Sequence, residues 1–181
     1  MTWAGCGDEA SDKSSIGRLE EVPLRHLWAH EARDFTPWLW RHPEELGRAL
    51  GMDLAWDRRE YGVGRYALDL IGSDRLTGGV VIVENQLETG DHRHLGQLIT
   101  YTAGTNPATV IWVAKAFETE HVDAIQWLNQ YAEARHRFFA VEVSAWRIGQ
   151  SPPAPKFQVK VSPTGWASTS RGRGRKVAKE L

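Results

Sequence analysis

The sequence holds one cysteine, Cys6, in a polar N-terminal stretch, and it has only two methionines. A lone thiol excludes an internal disulfide and any multi-cysteine zinc site. No apolar run reaches the length of about eighteen residues that a membrane helix needs. A basic-then-apolar leader with a small-residue cleavage site is also lacking, so the expected location is cytoplasmic, with no membrane partner. The phosphate-cradling pattern G-x-x-x-x-G-K-[ST] does not occur, and nothing suggests that the chain hydrolyses nucleotides by itself. No internal repeat is visible, and low complexity is confined to the ends.

What is present is enough for one well-buried core. The chain has 181 residues, 41% of them hydrophobic, with nine tryptophans, a length that suits a single domain better than two. Charge is nearly balanced at −1 but unevenly spread, because the last eleven residues, RGRGRKVAKEL, carry a net +4. Residues 1–15 and the basic tail 167–181 lack apolar periodicity and are expected to be disordered, leaving residues 16–166 as the folded unit. The tail is either a phosphate-binding arm or a solvated terminus.

Periodicity divides the middle into alternating elements. TPWLWRHPEELGRALG, residues 36–51, offers Thr36 as a cap, two first-turn prolines and Gly51 as a stop, which fits one helix or two short ones. DLAWDRREY, GRYALDLIG and GGVVIVENQL are separated by glycine-rich turns and predict a three-stranded antiparallel meander. Asp91 is placed to cap a helix through HRHLGQLITYTAG with Leu95, Leu98, Ile99 and Thr102 on one face. ATVIWVA reads as a buried strand, TEHVDAIQWLNQYAEA as a second helix, and HRFFAVEVSAWRI with APKFQVKVSP as a final strand pair. A mixed α/β sheet flanked by helices follows, in the order αβββαβαββ, with a right-handed parallel crossover between the third and fourth strands. Trp38, Trp112 and Trp127 fit core faces.

Chemistry concentrates where the third strand ends in Glu84, Asn85 and Gln86. Residues two apart on a strand share a face, so Ile82, Glu84 and Gln86 point one way and Val81, Val83 and Asn85 the other. Asp69 occupies an equivalent place one strand earlier, and if the strands pair the two carboxylates converge. Hard cations such as Mg²⁺ take oxygen ligands, commonly one or two carboxylates with waters and substrate phosphate oxygens. On the next helix Gln97 and Tyr101 are four apart and therefore neighbours, with His94 on the same stripe.

Asp69, Glu84-Asn85-Gln86 and the Q-x-x-x-Y of Gln97 to Tyr101 together resemble the PD-(D/E)xK nuclease superfamily, whose fold is restriction-endonuclease-like. The nearest branches are those with a RecB-like Q-x-x-x-Y helix, and ENQLETGDHRHLGQLITYTAG with FFAVEV is similar to a bacterial group within it. The resemblance spans roughly residues 20–166. It implies an endonuclease that hydrolyses phosphodiester bonds with a Mg²⁺- or Mn²⁺-activated water, DNA being the expected substrate before RNA. Asp69, Glu84 and the backbone carbonyl of Asn85 would hold the metal, with Glu31 the preferred upstream acid over Glu45 and Glu60. Gln97 and Tyr101 would orient the phosphate or a metal-bound water. Gln86 stands where the family more often has lysine; its amide can position a water but cannot titrate. A homodimer would be needed to cut both strands of a duplex, and a larger defence or repair assembly is compatible with the resemblance.

Simpler roles compete with each of these. Asp69 precedes Gly72 and Ser73, where an aspartate often only satisfies a turn. Glu84 can be a buried ion-pair partner of Arg65 or Arg93. A nuclease fold without catalysis, binding nucleic acid or a protein, is the alternative function, favoured by Gln86 and the acidic body. His92 and His94 do not face each other at a spacing of two, which argues against zinc.

Overall fold

The computed structural model describes residues 16–132 and 135–166; Cys6, the N-terminal stretch 1–15 and the basic tail 167–181 lie outside them. In chain order the elements are β1 (Leu19–Glu21), α1 (Leu24–Leu27), a π-helical turn (Glu31–Phe35), α2 (Thr36–Arg41), α3 (Pro43–Leu50), β2 (Leu54–Val63), β3 (Tyr66–Asp74), β4 (Gly79–Asn85), α4 (His92–Thr105), β5 (Thr109–Ala114), α5 (Thr119–Tyr131), β6 (Arg137–Ile148) and β7 (Ala154–Val161). The expected succession is therefore preceded by a short strand, a one-turn helix and a π turn that no periodicity announces. TPWLWRHPEELGRALG forms two helices, because Pro43 disfavours helical backbone at His42, whose φ is −129°.

All seven strands join one mixed sheet in the order β1-β6-β5-β4-β3-β2, with β7 on the other edge of β6. β2, β3 and β4 form the antiparallel meander, β4, β5 and β6 run parallel, and β6 and β7 are antiparallel. Both faces are covered. Val81, Val83, Ile111, Val113, Phe139 and Val141 pack with Phe35, Leu39, Leu46 and Leu50 of α2, α3 and the π turn. Ile82, Val110, Trp112, Phe138 and Ala140 pack on the opposite side with Leu98 and Tyr101 of α4 and Ile125 of α5. Every residue of β5 is buried, as a parallel strand covered on both faces demands.

Two expectations about the helices fail. Ile99 of α4 is 47% exposed, and the buried stripe runs through Leu98, Tyr101 and Thr102. Trp127 of α5 is 58% exposed and lies tilted against Tyr131 at the surface rather than entering the core. In both cases the apolar side chain lies at the solvent edge of its helix's stripe, beside a leucine that turns inward. Trp166 closes the opposite layer, set edge-on against Phe139 and donating its indole N–H to Leu50 O at 3.1 Å.

β3 runs past Gly72 and Ser73 to Asp74. Gly72 is required there: a Cβ would lie 2.0 Å from the Ala55 carbonyl oxygen of β2. The aspartate that satisfies the turn is Asp74, which accepts bonds from Asp53 N, Leu76 N and the Thr77 hydroxyl. Asp69 lies in mid-strand, with no turn to satisfy. Asp74→Ala removes the buried acceptor that these three donors share, and a loss of about 1–3 kcal/mol is expected in urea unfolding; a loss below about 0.5 kcal/mol would contradict this assignment.

Candidate active site

The sheet's regular alternation breaks at the level of Asp69. Leu68 and Leu70 are two apart and should share a face, yet Leu70 enters the α2–α3 core and Leu68 the α4–α5 core. On β2, Arg59 packs over Trp40 of α2, while Tyr61 joins the α4 side. The residues between are Glu60 and Asp69, skipped in a ladder that pairs Arg59 with Leu70 and Tyr61 with Leu68. Glu60 has φ +50°, a left-handed backbone that costs a non-glycine residue on the order of 1 kcal/mol or more. The β2–β3 ribbon thus turns over at an opposed pair of acids, and its outer arm leans onto α4.

β4 brings the third carboxylate. Its ladder with β3 ends at Leu70–Val83, so Asp69 and Glu84 are the next residues along two strands that have stopped pairing. Asp69 Oδ2 takes the hydrogen bond that the ladder would have used, accepting from Asn85 N at 2.7 Å. Glu84 is 4% exposed, and its Oε2 is buried without a partner. Neither Arg65 nor Arg93 pairs with it: Arg65 bonds and stacks on Tyr66, and no ion pair among the described residues involves Glu84. Burial raises both carboxyl pKa values well above the ordinary range; Asp69 adds to the rise at Glu84, and Glu31 and Glu60 add at both.

Glu31 reaches the same region from the opposite layer. It opens the π turn, and its Oε2 accepts from Leu87 N at 2.7 Å, just beyond the end of β4. The adjoining Thr36 hydroxyl accepts from Asn85 Nδ2 at 3.2 Å, tying α2 to the same strand end. Four acids, Glu31, Glu60, Asp69 and Glu84, therefore share one electrostatic neighbourhood, whereas Glu45 pairs with Arg48 in the first turn of α3. Among the described residues no three His, Cys, Asp or Glu side chains converge tightly enough to hold an ion by themselves.

Gln86 is 4% exposed and has spent its donors. Its Nε2 bonds Thr89 O and Asp91 Oδ2, both at 2.9 Å, leaving only Oε1 without a partner. It therefore ties the β4–α4 loop to the cap of α4. Burial alone would raise the Asp91 carboxyl, but bonds from His94 N, the His94 ring and Gln86 hold it at about 2. His94 thus contacts Asp91 and not Gln97.

Tyr101 is fully buried, donating its hydroxyl to Ala67 O at 2.8 Å and accepting from Gln97 Nε2 at 3.2 Å. Burial, then the charge of Glu84, pushes its phenol up to about 12, so near neutral pH it is a donor and not a base. Gln97 Oε1 is buried and unpartnered. A pair that sequence spacing did not reveal lies nearby: His92 Nδ1 and His121 Nε2 are 2.8 Å apart, with buried His121 against Trp112. Its partners are 29 residues apart on α4 and α5, a separation that carries no local signal.

The raised carboxyl pKa values have a definite sign for stability. The folded state holds protons that the unfolded chain releases near pH 4, so the metal-free fold loses stability as pH rises from about 4 towards the raised values. Glu84→Gln removes one of the clashing charges, and the metal-free variant is expected to be more stable than wild type by about 1–3 kcal/mol at about pH 8, with little difference near pH 4. Denaturant unfolding at the two pH values in chelator checks this, and a destabilised variant at the higher pH would contradict it.

No protein-family model matches the sequence, and a comparison with curated proteins returns no match. Among solved structures the chain is similar to a repair endonuclease from Pyrococcus abyssi, at 16% identity and a TM-score of 0.43, covering 60% of this chain and 45% of that one. It is also similar to EndoMS in an EndoMS–dsDNA complex, at 18% identity and a TM-score of 0.44, covering 60% and 43%. The chain spans less than half the length of either neighbour.

Proposed function

We propose that this chain is a divalent-metal-dependent nuclease of the PD-(D/E)xK type, with its site at Asp69, Glu84 and the Asn85 carbonyl and with Glu31 and Glu60 alongside. The observation that carries this reading is the orphaned, buried Glu84 Oε2 beside Asp69, where among the described residues no cationic side chain pairs with either carboxylate. The donor set fits a hard, oxygen-preferring cation such as Mg²⁺ or Mn²⁺: two carboxylates and a main-chain carbonyl, a partial set of the kind that water and phosphate oxygens complete. Such an ion, when bound, lowers the pKa of water and offsets the charge developing on a phosphodiester.

The chain's own residues have separable tasks in this reading. Asn85 N fixes the Asp69 carboxylate, and Leu87 N fixes that of Glu31, so two acids are oriented by backbone groups at the end of one strand. Tyr101 stays protonated and pins α4 to β3, which sets Gln97 beside the acids. Gln97 Oε1 is free to accept a proton donor such as an ordered water. Gln86 holds the loop and contributes no titrating group.

A second reading, binding without cleavage, draws on Gln86: both its amide hydrogens are engaged, and no lysine replaces the cation that this position supplies in most of the superfamily. The two readings separate in one assay. Labelled single-stranded and duplex DNA and RNA are incubated with Mg²⁺ or Mn²⁺ and wild type, Asp69→Ala or Glu84→Gln. Cleavage by wild type that falls at least a hundredfold in both variants is expected from loss of metal-borne catalysis. Inert wild type that still binds the nucleic acid would give the second reading the field.

A further inference from the structure

The ribbon that turns over at Glu60–Asp69 ends in a tight hairpin, Val63-Gly64-Arg65-Tyr66, and its inner face rests on α4 through Tyr61, Val63 and Leu68. Between the hairpin tip and the first three turns of α4 lies a groove of about 440 Å³, lined by Tyr66, His92, Arg93, Gly96, Gln97 and Thr100. No acid is among these residues. That volume falls within the about 300–1,000 Å³ of pockets that take small organic ligands. At one side Gln97 connects the groove, through Tyr101, to the acid cluster.

Two features of the groove are unexplained by folding. Gly96 sits in the interior of a fourteen-residue helix, where glycine costs about 1 kcal/mol relative to alanine. A Cβ there would meet nothing within 4 Å, so no packing requires the glycine; the space it leaves is the groove itself. Tyr66 is 39% exposed, yet its ring is fixed by Arg65, whose guanidinium lies 5.1 Å from the ring centroid and donates to the hydroxyl at 2.9 Å. An exposed aromatic beside a cation, over an acid-free groove, suits one unpaired strand: a stacking platform for a base and a positive group for its phosphate.

We infer that this groove is the path of a single strand of nucleic acid, with a base on Tyr66, a phosphate against Arg93 and Gly96 as the floor. This rests on the nuclease reading and narrows it to substrates with an unpaired segment at the cleavage point. The recessed position of Glu84 agrees, since the scissile phosphate must come to a side chain only 4% exposed.

The test is fluorescence anisotropy of the full chain, in Ca²⁺ in place of Mg²⁺ so that the strand is bound without being cut, with labelled oligo(dT) and oligo(rU) of about twelve nucleotides and with a blunt duplex of the same length, the two homopolymers separating DNA from RNA. Wild type is expected to bind a single strand at least tenfold more tightly than the duplex. Tyr66→Ala should weaken it about tenfold and Tyr66→Phe less than threefold. Gly96→Leu should abolish the preference while its melting temperature holds or rises, because leucine is the better helix former. Unchanged single-strand binding in Tyr66→Ala and Gly96→Leu, or equal affinity for the duplex, overturns the inference. The nuclease reading fails separately, by wild type that binds the strand yet cleaves nothing in Mg²⁺ or Mn²⁺; loss of binding in the groove variants would then still stand as evidence for the strand path.

Discussion

Two carboxylates, Asp69 and Glu84, are held close together at the end of the sheet's apolar core, where burial opposes their ionisation. Asp69 and Glu84 sit where β3 and β4 stop pairing, and behind them β4 and β5 are apolar and covered on both faces. Moving Glu84 into water would mean disturbing that core. The burial therefore persists, with raised pKa values and a buried oxygen without a partner. A pocket in that condition has more to gain from a cation than an exposed acidic patch, where solvent already screens the charges.

The surrounding irregularities converge on the same point. The left-handed Glu60, the swap of faces between Leu70 and Leu68, and the π turn that opens with Glu31 all fall within reach of the two acids. Each is locally unfavourable, and strain of this kind gathers at functional sites. The same twist throws the β2–β3 hairpin over α4 and so shapes the groove beside the site. One distortion of the ribbon thus assembles the acids and frames an approach to them.

Much of the scaffold was legible because it rests on periodicity. The meander, the Asp91-capped helix, the wholly apolar β5 and the parallel join of β4 to β5 follow from alternation, capping chemistry and a continuous hydrophobic run. Asp69 and Glu84 could be set side by side from the assumption that neighbouring strands pair. What the sequence hid depends on three dimensions. Nothing local marks Glu60 for a left-handed backbone, or places Glu31 against Leu87 N across 56 residues. Gln86 lies at the end of the same strand, but its amide is drawn to Thr89 O and the Asp91 cap, because a buried amide must place its hydrogens. Ile99 and Trp127 were misassigned because hydropathy does not distinguish a stripe's centre from its edge.

A claim that Asp69 and Glu84 form a cation site is open to test by paramagnetic broadening. Substoichiometric Mn²⁺ is added to ¹⁵N-labelled protein and the loss of each backbone amide signal is followed. If the claim holds, the amides of Asp69, Glu84 and Asn85 broaden first, with those of Glu31, Glu60 and Leu87 close behind, and Glu84→Gln abolishes the effect. Broadening centred on His92 and His121, or none above that of bulk Mn²⁺, would contradict it.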